Sequence, residues 1–206
     1  RRQRRNHMPV PTQSRRTIVI AAAAAALAAC PPAEPQAPFK GIDITGAAYA
    51  NALSLPDFDG RVRTLAEFKG KVVALFFGYV QCPDVCPTTM AELALIKKQL
   101  GADGARLQPV FVTVDPERDT PEVLKAYMAN FGTDFVGLRG DNEQTKATAL
   151  AFKIFYSRVR GATPTSYTID HTAGTYLYDP EGRVRLFVRY GSKTEDLTAD
   201  IKLLLR

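Results

Sequence analysis

Cysteine and histidine are scarce in this chain of 206 residues, which holds three of the first and two of the second. So few cysteines cannot build the dense disulfide framework of a small secreted scaffold, and a chain of this length does not need one to bury a core. Methionine is as rare: Met8, Met90 and Met128 stand far apart and form no methionine-rich motif. No apolar run reaches the ~20 residues of a transmembrane helix. Neither an internal repeat nor a second domain is visible.

The formal charge of +6 is concentrated at one end. Arg1 to Arg16 carries six arginines and no acid, and the part after Ala29 has no net charge. No lysine or arginine cluster interleaved with aromatics occurs there, which sets nucleic-acid binding aside. The basic segment leads into Thr17 to Ala29, an apolar run with the length of a signal h-region. Residues 1–29 are therefore expected to be an export signal, with Met8 a candidate start. The run closes on Leu27-Ala28-Ala29-Cys30, which is similar to the lipobox of bacterial lipoproteins and implies that Cys30 is lipidated. An ordinary cleaved signal and an uncleaved anchor are the alternatives. Residues 30–40 include four prolines and are expected to be an extended tether, at about 3.1 Å per residue, or a leader with no spacer role. Residues 41–206 form the expected folded domain.

Leu53 to Leu55 and Arg61 to Thr64 flank Asp57-Phe58-Asp59-Gly60, which predicts a hairpin. Lys71 to Tyr79 is a continuous apolar run, as in a strand covered on both faces. After Pro87, Met90, Leu93, Ala94 and Leu100 recur at helical spacing. Gln108 to Val114 reads as a second buried strand. Thr120 as N-cap and Pro121 in the first turn start a helix through Val123, Leu124, Tyr127, Met128 and Phe131. A short strand follows at Phe135 to Leu138, then a helix from Asp141 to Tyr156 and a loop carrying His171. Strands at Thr175 to Tyr178 and Val184 to Arg189 are joined by Asp179-Pro180-Glu181-Gly182. A Ser192/Glu195 capping box opens the last helix, with Leu197, Ile201 and Leu204 as its buried stripe. This order predicts an α/β fold: a thioredoxin-like central sheet flanked by helices, with an extra N-terminal β-hairpin and a C-terminal β-hairpin plus helix.

With Cys30 assigned to lipid, Cys82 and Cys86 remain, each followed by a proline, in an oxidising compartment. Their i, i+4 spacing is expected to put both on one face of a first helical turn, with Cα atoms about 6 Å apart and within reach of a disulfide. A static bridge there closes only a short loop and contributes roughly 2 kcal/mol, so the pair is read as functional. A helix N-terminus favours the thiolate, which Asp84 opposes modestly. Thioredoxin-type reductases use the narrower Cys-x-x-Cys, and a peroxiredoxin places Thr or Ser three residues before its cysteine, where this chain has Tyr79. The wider pair leans toward a metal. His171 is the single histidine of the expected mature chain, and loops at the carboxyl ends of parallel strands converge on one crevice, so its imidazole is a candidate third ligand. Thiolates favour Cu(I) and imidazole suits Cu(II), so two sulfurs and a nitrogen fit copper. Zinc shares these ligand types, although a closed structural zinc site uses a fourth. Met90 and Met128 read as core.

The segments Phe77-Gly78-Tyr79, Cys82-Pro83-Asp84-Val85-Cys86-Pro87, Val114-Asp115-Pro116-Glu117-Arg118-Asp119-Thr120-Pro121, Asp170-His171 and Tyr178-Asp179-Pro180-Glu181-Gly182 together resemble the SCO (SenC) family. With Gly41 to Gly46, the resemblance covers nearly all of the expected domain. It implies a membrane-anchored copper chaperone rather than an enzyme, delivering copper to the CuA centre of cytochrome c oxidase subunit II. It also implies Cys82 and Cys86 as the copper thiolates and His171 as the imidazole ligand. Many members carry a transmembrane helix, whereas a lipid on Cys30 would anchor this one on the periplasmic side of the bacterial inner membrane. A Cys82–Cys86 disulfide removes both sulfur ligands, so a reductant of the pair is an expected partner. Asp115 is expected to orient a ligand or partner, or only to open the turn before Pro116. The rival reading is a thiol-disulfide reductase, with Cys82 and Cys86 catalytic, that keeps the oxidase subunit's cysteines reduced.

Overall fold

The computed structural model describes residues 39–163 and 166–206. The expected signal, Cys30 and the tether up to Pro38 lie outside the described residues.

Two apolar runs organise the fold. Val72–Gly78 and Leu107–Thr113 are buried at every position and lie side by side as parallel strands. In chain order the strands are β1 (Ile42–Asp43), β2 (Ser54–Pro56), β3 (Val62–Thr64), β4 (Val72–Gly78), β5 (Leu107–Thr113), β6 (Val136–Leu138), β7 (Tyr156–Arg160), β8 (Tyr167–His171), β9 (Gly174–Tyr178) and β10 (Val184–Arg189). The helices are α1 (Val85–Gln99), α2 (Pro121–Ala129), α3 (Asn142–Ala151) and α4 (Thr194–Leu204). The main sheet runs β1-β10-β9-β4-β5-β6, with β4, β5 and β6 parallel and β9 antiparallel to β4. β2 and β3 form the expected N-terminal hairpin. The mixed sheet with flanking helices is thioredoxin-like, as the strand and helix order predicts. No helix among the described residues is long and apolar enough to cross a membrane.

Local chemistry explains most boundaries. Thr120 caps α2 as expected, its side chain accepting a hydrogen bond from the Val123 amide at 3.3 Å, with Pro121 at the first helical position. Leu197, Ile201 and Leu204 are buried on α4. At Asp179-Pro180-Glu181-Gly182 the chain turns with Gly182 at φ 82°, a left-handed conformation that favours glycine.

Four expectations need correction. The helix expected from Asp141 to Tyr156 ends at Ala151. There the amide of Ile154 bonds back to the carbonyl of Ala149 at 2.8 Å and Lys153 takes φ 53°, a Schellman-type stop made without glycine. Tyr156–Arg160 is instead a strand, and it pairs with the segment that bears His171, so His171 ends β8 rather than lying in a loop. Helix α1 starts at Val85, so only Cys86 is helical and the cysteines do not share a helical turn. Finally, α4 begins after Lys193 with no side-chain cap, and the Thr194 hydroxyl donates to Glu92 on α1 at 2.7 Å, so Ser192 and Glu195 form no capping box.

Candidate metal centre

The site is assembled by register. Strand β4 ends at Gly78, and four residues later the chain reaches Cys82 in the loop before α1. Because β9 runs antiparallel to β4 with Phe76 opposite Thr175, the start of β9 lies beside the end of β4. His171 stands three residues before that start, so the sheet delivers it to the cysteine loop. The ligating atoms of Cys82, Cys86 and His171 all lie within 4.8 Å of one another. Both cysteines are free thiols.

Each member has a distinct setting. Cys86 is fully buried, while Cys82 and His171 are partly exposed. Nε2 of His171 is 3.5 Å from Cys86 Sγ, and Nδ1 lies 3.2 Å from the Thr172 carbonyl. With Nδ1 turned to that carbonyl, Nε2 is the ring nitrogen that faces the sulfurs. Phe76 and Tyr79 both meet the imidazole edge-on, with ring centroids 5.9 and 6.0 Å away and interplanar angles of 83° and 87°. The aromatic pair confines the ring from two sides.

The thiols are electrostatically unequal. Cys82 is lowered to about 5, chiefly because the Cys86 thiol donates to it; burial opposes this, and the amides of Asp84 and Cys86 at the helix start and His171 add smaller lowering effects. Cys86 moves far upward, first because its proton is shared with the Cys82 sulfur and then because it is buried. The pair therefore holds one proton and one negative charge. A soft cation such as copper would displace that last proton and find two sulfurs and an imidazole nitrogen already gathered.

Asp115 touches none of the three. Its carbonyl accepts from the amides of Arg118 and Asp119, which is the turn-opening role. Its buried carboxylate accepts from the Tyr167 hydroxyl at 2.8 Å and pairs with Arg118, so it reaches the hairpin that carries His171 without touching His171 itself.

Two residues with no role assigned from sequence shape the site. At Gly78 a Cβ would lie 2.6 Å from Cys86 Sγ and 2.8 Å from Phe76 Cε1, so only glycine leaves room for the buried sulfur. A glycine ending an otherwise bulky buried strand is the available signal of such close approach. Asp119, fully buried, accepts from the Val80 amide at 3.0 Å and the Thr113 hydroxyl at 2.5 Å, tying down the start of the cysteine loop. Burial pushes its carboxyl up to about 6.

A thioredoxin-like sheet bearing two thiols and an imidazole at the end of its central strand defines a thiol protein built to take a soft metal ion. More particularly, the chain belongs to the SCO1/SenC family, whose model matches residues 43–206. An SCO2-like protein of Rickettsia typhi is 35% identical over 167 residues, covering 81% of this chain and 82% of that protein. The SCO2-like protein of Rickettsia felis is 40% identical over 130 residues, 63% of each chain, so the match spans under two thirds of that relative's length. The structure of Bradyrhizobium japonicum ScoI with copper bound is 35% identical, covers 75% of this chain and 98% of its own, and superposes with a TM-score of 0.68. The Cys82, Cys86 and His171 cluster fits a copper site.

Proposed function

We propose that this chain is a membrane-anchored copper metallochaperone that holds copper on Cys82, Cys86 and His171 and delivers it to the CuA centre of cytochrome c oxidase subunit II. In this reading Cys30 carries the lipid, residues 31–40 span the gap to the domain, and the protein works on the periplasmic side of the bacterial inner membrane. The carrying observation is the convergence of two sulfurs and one imidazole nitrogen within 4.8 Å. A three-coordinate site with metal–ligand distances near 2.0–2.3 Å spaces its donors about 3.5–4 Å apart, so a small inward movement completes it. Copper is the cargo, passed on by exchange of these ligands for those of the acceptor. A reductant keeps Cys82 and Cys86 as thiols, because a disulfide between them removes two of the three donors.

The experiment is copper titration of the reduced protein. About one copper per chain is expected, with sulfur-to-copper charge-transfer bands for Cu(II) that change in His171→Ala and vanish in Cys82→Ser and Cys86→Ser. Bands and affinity that ignore all three substitutions defeat the reading.

The thiol asymmetry favours a second reading, a thiol-disulfide reductase. There the accessible Cys82 thiolate attacks a target disulfide and releases one target thiolate. The Cys86 sulfur, once deprotonated, displaces the other, so two electrons pass to the target and a Cys82–Cys86 disulfide remains. Catalytic reduction of the subunit's disulfide that is indifferent to His171→Ala would establish it in place of the first.

A further inference from the structure

His171 and the cysteines sit on separate limbs of the chain, the β7–β8 hairpin and the loop after β4. One side chain touches both limbs. Arg118 Nη1 donates to Gln81 Oε1 at 3.0 Å, next to Cys82, and to the Tyr167 carbonyl at 2.8 Å, at the start of the strand that ends in His171. Its guanidinium lies over the Tyr167 ring with the central carbon 3.6 Å from the centroid, and its Nε pairs with buried Asp115. Asp115 in turn accepts from the Tyr167 hydroxyl at 2.8 Å. Arg158, on β7, also lies 4.8 Å from the centre of that ring and is held by Glu117 at 2.8 Å. Tyr167 is thus held at its hydroxyl by Asp115 and at its carbonyl and ring by Arg118, both from the turn that follows β5.

We propose that Arg118 and Tyr167 form a clamp that positions His171 against Cys82 and Cys86, making them positioning residues for the copper site. This rests on the reading of those three side chains as the copper ligands. Two free limbs would pay the entropy of meeting each time the metal binds, whereas a hairpin locked at Tyr167 presents Nε2 at a fixed place. Arg118 is suited to this where lysine is not, because a planar fork can stack on a ring while it donates to two oxygens and a carboxylate at once. Its Nη2 is buried with no partner among the described residues, an unfavourable arrangement accepted at a guanidinium fixed by its other contacts. His171 lies four residues beyond Tyr167 on the same strand, so backbone tilt at the clamp is carried directly to the imidazole.

The test uses the full reduced chain as wild type, Tyr167→Phe, Arg118→Lys and His171→Ala. Tyr167→Phe keeps the buried Asp115–Arg118 pair and the stacked ring, so it retains the fold even where Arg118→Lys does not. The first readout needs no metal: the His171 ring resonance, assigned with His171→Ala, carries ring-current shifts from Phe76 and Tyr79 that both clamp variants should reduce. The second is Cu(II) binding, where loss of an outer hydrogen bond to a ligand-bearing element is expected to weaken affinity about tenfold and diminish the nitrogen hyperfine coupling. A wild-type His171 resonance and wild-type copper spectrum in Tyr167→Phe overturn the clamp. So does weaker binding that merely follows a loss of thermal stability, with an unchanged spectrum. A displaced His171 resonance in a protein that binds no copper supports the clamp as a positioning device while defeating the chaperone reading.

Discussion

Cys86 Sγ and His171 Nε2 lie 3.5 Å apart although 85 positions separate them in the chain. The antiparallel register of β9 on β4 creates this neighbourhood, and the buried Cys86 is the fixed point of it, packed beneath Gly78 and Phe76. Cys82 and His171 are its partly exposed members, so the cluster opens to solvent on their side.

The unequal thiols predict unequal chemistry. With Cys82 lowered to about 5, its thiolate forms as pH rises through that value and is complete near neutrality, while Cys86 stays protonated and buried. Iodoacetamide at pH 7 should alkylate Cys82 alone in the native reduced protein, as read by peptide mass spectrometry. A low-pKa sulfur is the weaker nucleophile per thiolate, so the diagnostic is the pH profile, flat above about 6, rather than the absolute rate. Equal labelling of both cysteines, or a rate still climbing toward pH 9, contradicts this.

Gly78→Ala should damage the site from beneath. The new methyl meets Cys86 Sγ at 2.6 Å, Phe76 Cε1 at 2.8 Å and Phe111 Cε2 at 3.0 Å, and all three belong to the buried core. Overpacking of this kind costs about 1–3 kcal/mol. Since the sulfur must shift, copper affinity should fall by more than the stability loss alone would produce. Thermal melts alongside copper titration measure both, and an undisturbed affinity would show that Cys86 has slack.

Much of this arrangement was legible in the residues themselves. β4 and β5 announce themselves as unbroken apolar runs because both faces are covered, and Thr120-Pro121 marks the start of α2 because the cap and the fixed φ are local chemistry. The β7–β8 hairpin was not legible. Ser157, Arg158, Val159 and Arg160 are all exposed, so no buried face imposes a period of two. Upstream, Phe152, Ile154 and Phe155 keep apolar residues coming where the helix has already stopped, at a left-handed Lys153 instead of the usual glycine. The Cys82, Cys86 and His171 cluster was visible as residue types, copper-like in its mixture of sulfur and nitrogen. The supports were harder to see: Arg118, Asp119 and Tyr167 act through contacts between segments distant in the chain, which no local pattern records.

Asp119 should cost the fold stability as pH rises past 6. Burial raises its carboxyl to about 6 from an ordinary 3.8, so folding takes up a proton between those values. The stability contributed by the protonated carboxyl is therefore fully present below about 3.8 and is lost as pH rises through 6. An asparagine in its place would keep an acceptor for the Val80 amide without the buried charge. Asp119→Asn is accordingly expected to stabilise the metal-free reduced protein at pH 8 by on the order of 2 kcal/mol and to confer no advantage at pH 4. Urea unfolding at the two pH values decides it; a variant less stable at pH 8 would mean that the ionised carboxylate is worth more to the cysteine loop than its burial costs.

Copper should stabilise only the reduced protein. A ligand that binds the native state alone adds about 2.7 kcal/mol when its free concentration is a hundredfold above the dissociation constant. For a domain of this size that corresponds to a rise in melting temperature of roughly 5–10 °C. The native geometry that permits the gain is the gathered triad of Cys82, Cys86 and His171. Oxidation of the two thiols to a disulfide withdraws both sulfurs and leaves a lone imidazole, so the same copper concentration should leave the melt of the oxidised protein where it was. Treatment of the loaded protein with a Cu(I) chelator should return the reduced melt to its starting temperature. Scanning calorimetry of the reduced, oxidised and chelated forms distinguishes this from copper binding elsewhere on the surface, which would shift the oxidised protein too.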